Sequence, residues 1–274
     1  MLSPYKYPHT SLISMLAFAF AKLILFSSGW LVAWLPVAVP IAKRTQWKPF
    51  QPFTPEQKLP LVCSLYLFAP LAVWVSSRIE GVSLASFGVS WQPEVLVSFA
   101  IGLAIALAGM VISYGIQVVI GAIALKRPEN WIAIAFPRLG IALWIGAIEE
   151  LVFRGYVFAE LGGTVVAAIL ASIIFALGHL VWDGRNALEQ LPGLTLMGLV
   201  LCLACVADGG GLGLAWGLHA GWVWAIAFLD TGDALHYTDN IPQWVTGAPG
   251  KPLAGLAGIL VLLLTAAAIA PRVL

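Results

Sequence analysis

Residues 94–124 carry a single charged side chain, Glu94, ahead of thirty uncharged and mostly apolar positions. A run of that length is enough to cross a hydrocarbon core, which takes about 20 apolar residues in helical form. Similar runs lie near 11–40, 59–77, 138–160, 163–181, 191–207, 210–229 and 252–270, bounded by Pro, Gly or charge. None alternates in polarity over segments of about ten residues, as a transmembrane β-barrel strand must. Helices are then the only structures that satisfy the backbone in lipid. The expected fold is all-α: a polytopic transmembrane bundle of about eight helices, forming one membrane-embedded domain over 1–274. Composition agrees, since 61% of the 274 residues are hydrophobic and only 10% charged, against about a quarter charged in soluble domains. Little chain is left over for a separate soluble domain.

Fourteen Lys+Arg against thirteen Asp+Glu give a net charge of +1 with no basic block, so nucleic acid is not an expected partner. The first apolar run is too long for a cleaved signal-peptide core and reads as a retained helix. Connections after the first, third, fifth and seventh spans hold Lys43, Arg44, Lys48, Lys58, Lys126, Arg127, Arg138, Arg185 and Lys251, whereas the other side holds Lys6, Arg78 and Arg272. The excess favours a cytoplasmic position for the first set, with both termini opposite. Cys202 and Cys205 form C-x-x-C within an apolar run, where they read as small packing residues and not as a redox pair.

Charge inside the spans is the informative feature. Glu149, Glu150 and Arg154 fall within six positions of the fourth run, each costing at least about 2.5–3.5 kcal/mol at mid-bilayer. Glu150 and Arg154 are i, i+4 neighbours that can neutralise one another. Glu149 points about 100° away from Glu150 on a helical wheel and needs a partner from another helix. His179 ends the fifth run after Phe175, and His219 lies in the seventh within Trp216-Gly-Leu-His-Ala-Gly-Trp222. Helices that alternate across the bilayer bring Glu149, His179 and His219 together. A carboxylate and two imidazoles in a dry cavity can polarise a water, as base and orienters or as metal ligands; the alternative is an ion network that only fixes packing. Gly209, Gly213, Gly217 and Gly221 recur every fourth residue and predict a close helix contact on the face opposite His219. Trp216, Trp222 and Val223 should surround that histidine. The loop residues Asp230, Asp233, His236 and Asp239 weakly suggest a metal loop, and Asp183, Arg185 and Asn186 could rim the cavity.

The order Glu-Glu-x-x-x-Arg at 149–154, Phe-x-x-x-His at 175–179 and a later His219 resembles the CPBP family of intramembrane proteases, which includes type II CAAX prenyl endopeptidases and bacteriocin-processing enzymes. The resemblance covers the fourth to seventh helices, the motif-bearing core at 138–229. It implies a multi-pass protein of a bacterial-type cell membrane that hydrolyses a peptide bond in a membrane-associated peptide or protein. Glu149 would activate the water with His179, Glu150 and Arg154 would hold the site, Phe175 and Trp222 would support it, and His219 would stabilise the oxyanion. The implied mechanism needs no cofactor. A zinc-dependent variant through Glu149, His179 and His219, and a catalytically degenerate scaffold or immunity-type protein, are the alternatives. One position departs from the prenyl-protease pattern, which has Asn four residues after the last histidine; Val223 stands there. Loss of one oxyanion donor costs about 10²–10³ in rate, unless the indole N–H of Trp222 or Trp216 substitutes.

Overall fold

A computed structural model describes residues 12–48, 53–238 and 240–272. Eight principal helices run in chain order: α1 (Leu12–Arg44), α2 (Pro55–Glu80), α3 (Glu94–Val119), α4 (Trp131–Glu149), α5 (Val165–Asp183), α6 (Leu191–Ala207), α7 (Gly213–Thr231) and α8 (Leu256–Ile269). α4 continues through a π-helical stretch, Glu150–Val157, into Phe158–Glu160. Five helical stretches among the described residues are long and apolar enough to cross a membrane, one of them spanning α5 and α6 together. The protein is an integral membrane helical bundle.

Several boundaries differ from those read from proline and charge. α1 continues past Pro40 to Arg44, α2 extends from Pro55 to Glu80, and α4 begins at Trp131, ahead of Pro137. In lipid a proline does not end a helix, because no water competes for the freed backbone and neighbouring groups re-satisfy it. α3 stops at Val119, and Ile123–Leu125 pairs antiparallel with Leu235–Tyr237 instead of extending the helix.

Connections after α1, α3, α5 and α7 meet at one end of the bundle. The strand pair joins the α3–α4 and α7–α8 connections, Lys58 reaches Asp183 at 2.5 Å, and Lys251 reaches Glu189 at 2.9 Å. These contacts agree with eight helices alternating in direction. At the opposite end Lys22 of α1 bridges Glu80 at 2.5 Å and Glu160 at 2.8 Å, which neutralises a cation that otherwise sits in an apolar helix.

α7 is central, packed mainly against α3 and α4. A Cβ on Gly213 would lie 2.6 Å from the Val95 carbonyl oxygen, one on Gly217 2.7 Å from the Leu103 nitrogen, and one on Gly221 2.6 Å from the Ala106 Cβ. The expected stripe is therefore real but three residues long. Gly209 precedes the helix, in a left-handed turn after α6 with φ 65°. With glycine on one face, α7 approaches α3 backbone to backbone, and its other face is free to carry His219. A methyl at Gly217 has only backbone to displace, so Gly217→Ala should cost about 3 kcal/mol, the upper end of overpacking penalties. Gly115→Ala in α3, which meets nothing within 4 Å, should change stability by less than about 0.5 kcal/mol. Unfolding free energies in bicelles check the pair.

Candidate active site

The α-to-π transition falls between Glu149 and Glu150, so the paired glutamates stand where the helix changes pitch. π-helical turns are uncommon and often coincide with functional sites. Gly155 within this stretch lets the Leu84–Phe87 turn come close, a Cβ there lying 2.7 Å from the Phe87 carbonyl oxygen.

Glu150 is 0% exposed and Arg154 2%. Arg154 Nη1 donates to Glu150 Oε1 at 2.9 Å, and Nη2 reaches the Gly198 carbonyl of α6 at 3.4 Å. The guanidinium also lies 4.4 Å from the centre of the Phe175 ring, a cation–π contact strengthened by the absence of water. His219 Nδ1 approaches the same Glu150 oxygen at 2.6 Å. Facing an acceptor-only carboxylate, Nδ1 carries the proton, which leaves Nε2 directed elsewhere. The ion pair thus extends to a triad that joins the π continuation of α4 to α7.

Glu149 obtains its partner from α2: the Tyr66 hydroxyl donates to Glu149 Oε1. Tyr66 escaped the sequence reading because the first three helices carry no motif, and only a phenol amid an apolar run hinted at it. The other carboxylate oxygen, Oε2, lies 3.6 Å from His219 Nε2. That gap is too long for a hydrogen bond and suits a bridging water.

His179 Nδ1 lies 3.0 Å from the Phe175 carbonyl oxygen. A carbonyl only accepts, so Nδ1 is protonated and Nε2 is available. Phe175 packs edge-on to both imidazoles, 4.9 Å from His179 and 6.0 Å from His219 between ring centres. Both histidines, with Trp222 and Val223, line a cavity of about 190 Å³. The two tryptophans separate here. Trp216 Nε1 donates to the Leu143 carbonyl oxygen at 2.9 Å and joins α7 to α4, whereas Trp222 Nε1 is buried with no partner among the described residues.

Among the described residues no three His, Cys, Asp or Glu side chains converge to hold a metal ion. His236 lies in the short strand pair and Trp244 is exposed, while Asp239 lies outside the described residues. Asp183 is committed to Lys58. Cys202 and Cys205 are free and buried.

Residues 130–225 match the family model for Type II CAAX prenyl endopeptidase Rce1-like proteins. The match covers about a third of the chain and supports a CPBP-family assignment for that segment. The matched segment holds α4, the π stretch, α5, α6 and α7 as far as Ala225, and therefore Glu149, Glu150, Arg154, His179 and His219 but not Tyr66. CPBP proteins of this kind are membrane proteases. No curated protein and no solved structure matches the chain.

Removing one member of a buried ion pair strands the other charge, at a cost of about 3–5 kcal/mol. Arg154→Met should destabilise the protein by that amount, read by steric trapping in bicelles. Lys58→Met, which breaks the partly exposed pair with Asp183, should cost about 1 kcal/mol or less.

Proposed function

We propose that the chain is an intramembrane endopeptidase that uses a glutamate-activated water, with Glu149 as the base. One observation carries this reading: of the two adjacent glutamates, Glu150 is bound by Arg154 and His219 through one oxygen, whereas Glu149 is held by Tyr66 through Oε1 and turns Oε2 toward His219 Nε2 at 3.6 Å. Both carboxylates are fixed at one oxygen, but Glu150 is 0% exposed and neutralised by Arg154, whereas Glu149 turns its open oxygen toward His219 with no guanidinium on it, as a base for proton abstraction requires.

In this reading a water held by Glu149 Oε2, with His179 Nε2 accepting its second hydrogen, loses a proton to Glu149. The resulting hydroxide attacks the peptide carbonyl carbon. The oxyanion accepts a hydrogen bond from Nε2–H of protonated His219, whose Nδ1–H remains on Glu150. In that state, with Glu149 protonated, the Glu150 carboxylate and the oxyanion balance one guanidinium and one imidazolium, the least costly arrangement for a low-dielectric site. Glu149 then passes its proton to the departing amine as the C–N bond breaks. Tyr66 keeps the carboxylate oriented throughout, and Phe175 holds both imidazoles and Arg154 in register.

The substrate is a peptide or protein at the membrane, and nothing in this mechanism requires a prenyl group on it. A degenerate scaffold reading rests on Val223, which lines the cavity where the family pattern has Asn. The test compares protein N- and C-termini in cells bearing the wild-type chain and Glu149→Ala at equal membrane abundance. A set of termini present only with the wild-type chain is expected. Identical termini in both would contradict the protease reading and favour the scaffold.

A further inference from the structure

Among the described residues three buried side-chain polar atoms lack a hydrogen-bond partner: Gln117 Oε1, Glu150 Oε2 and Trp222 Nε1. Glu150 belongs to the ion triad. The other two, from α3 and α7, are each 4% exposed and line the same 190 Å³ cavity. One is an acceptor and the other a donor, the complement of the N–H and C=O of a peptide group. Gln117 cannot be explained as internally satisfied, since its amide nitrogen makes only long contacts with Ser113 on its own helix, 3.4 Å to the carbonyl oxygen and 3.3 Å to Oγ.

A second hollow of about 410 Å³ runs between α3 and α8 on the outer apolar face, and its wall includes the exposed Ile116 and Leu264. It shares Ser113, Gln117, Ala257 and Val261 with the cavity. Gln117 therefore stands at the junction between a lipid-facing groove and the space beside His219. A peptide carbonyl within a helix is hydrogen-bonded to its own backbone and shielded from a nucleophile, so a substrate presents it beside His219 as extended chain. In hydrocarbon each unpaired N–H or C=O of that strand costs several kcal/mol. The cavity has to supply the missing partners.

We propose that the α3–α8 groove and the cavity form one peptide cleft, in which an extended substrate segment with an apolar flank donates a main-chain N–H to Gln117 Oε1 and accepts from Trp222 Nε1–H. This rests on the protease reading only in taking the cavity's occupant to be a peptide. Trp222 then supplies a carbonyl-directed donor one position before Val223.

Binding is read without cleavage in the chain carrying Glu149→Gln, reconstituted in phosphatidylcholine nanodiscs. The probes are a dansylated Leu/Ala heptapeptide, its series of single ester-for-amide replacements, and dansyl-undecanoate, which is apolar without peptide groups. Adding Gln117→Met or Trp222→Phe should each lower heptapeptide affinity about tenfold, the worth of one buried hydrogen bond, and leave dansyl-undecanoate unchanged. One ester position should weaken the parent about tenfold and have no further effect with Gln117→Met. Equal heptapeptide binding by parent and variants would overturn the proposal, as would equal losses for both probes or ester replacement without effect at every position. Expected binding alongside identical cellular termini would sink the protease reading and leave the peptide cleft standing.

Discussion

Charge neutralisation inside hydrocarbon is the constraint on which the structure depends. Glu150, Arg154 and His219 sit in the middle of the bundle at 0%, 2% and 2% exposure, and each costs several kcal/mol to bury alone. Their mutual hydrogen bonds, the Gly198 carbonyl and the Phe175 ring together offset that cost. Because the three residues come from the π stretch and α7, and their supports from α5 and α6, the same network also fixes the relative positions of these helices. An ion cluster that appears at first to serve only stability thereby orients His219, and through it the gap to Glu149.

Packing around this network follows from residue size. Glycines on one face of α7 let α3 approach to backbone contact, while α4 closes the opposite side through Trp216 and Gly146, where a Cβ would lie 3.3 Å from Trp216 Cδ1. Two apolar cores result, one built on α1, α2, the π stretch and α5, the other on α3 and α5 to α8, with Phe153 packed against both. The candidate site lies at their seam, where Tyr66 comes from the first and His219 from the second. A seam between two cores can hold a polar cavity without cutting either one.

Much of this was legible in the sequence because lipid imposes strong rules. Apolar run length pointed to eight helices, four-residue glycine spacing to a close helix contact on one face of α7, and the cost of buried charge singled out Glu149, Glu150, Arg154 and both histidines. What escaped was tertiary. No pattern within α2 marks Tyr66 as the partner of Glu149, since its role exists only once α2 lies beside α4. Trp216 and Trp222 flank His219 symmetrically on a helical wheel, and only a carbonyl on α4 separates the one that is satisfied from the one that is not. Proline misplaced two helix boundaries, at Pro40 and Pro137, because its helix-ending rule comes from water. The π stretch changes pitch without any signature in Glu-Leu-Val-Phe-Arg-Gly.

The central claim is a division of labour between adjacent residues: Glu150 for structure, Glu149 for chemistry. Paired measurement of unfolding free energy and of termini produced in cells, for Glu149→Gln and Glu150→Gln, tests it most directly. The account predicts that Glu149→Gln stays within about 1 kcal/mol of wild type while its products disappear, and that Glu150→Gln loses about 3 kcal/mol or more. A Glu149→Gln chain that keeps its products, or a Glu150→Gln chain as stable as wild type, would contradict it.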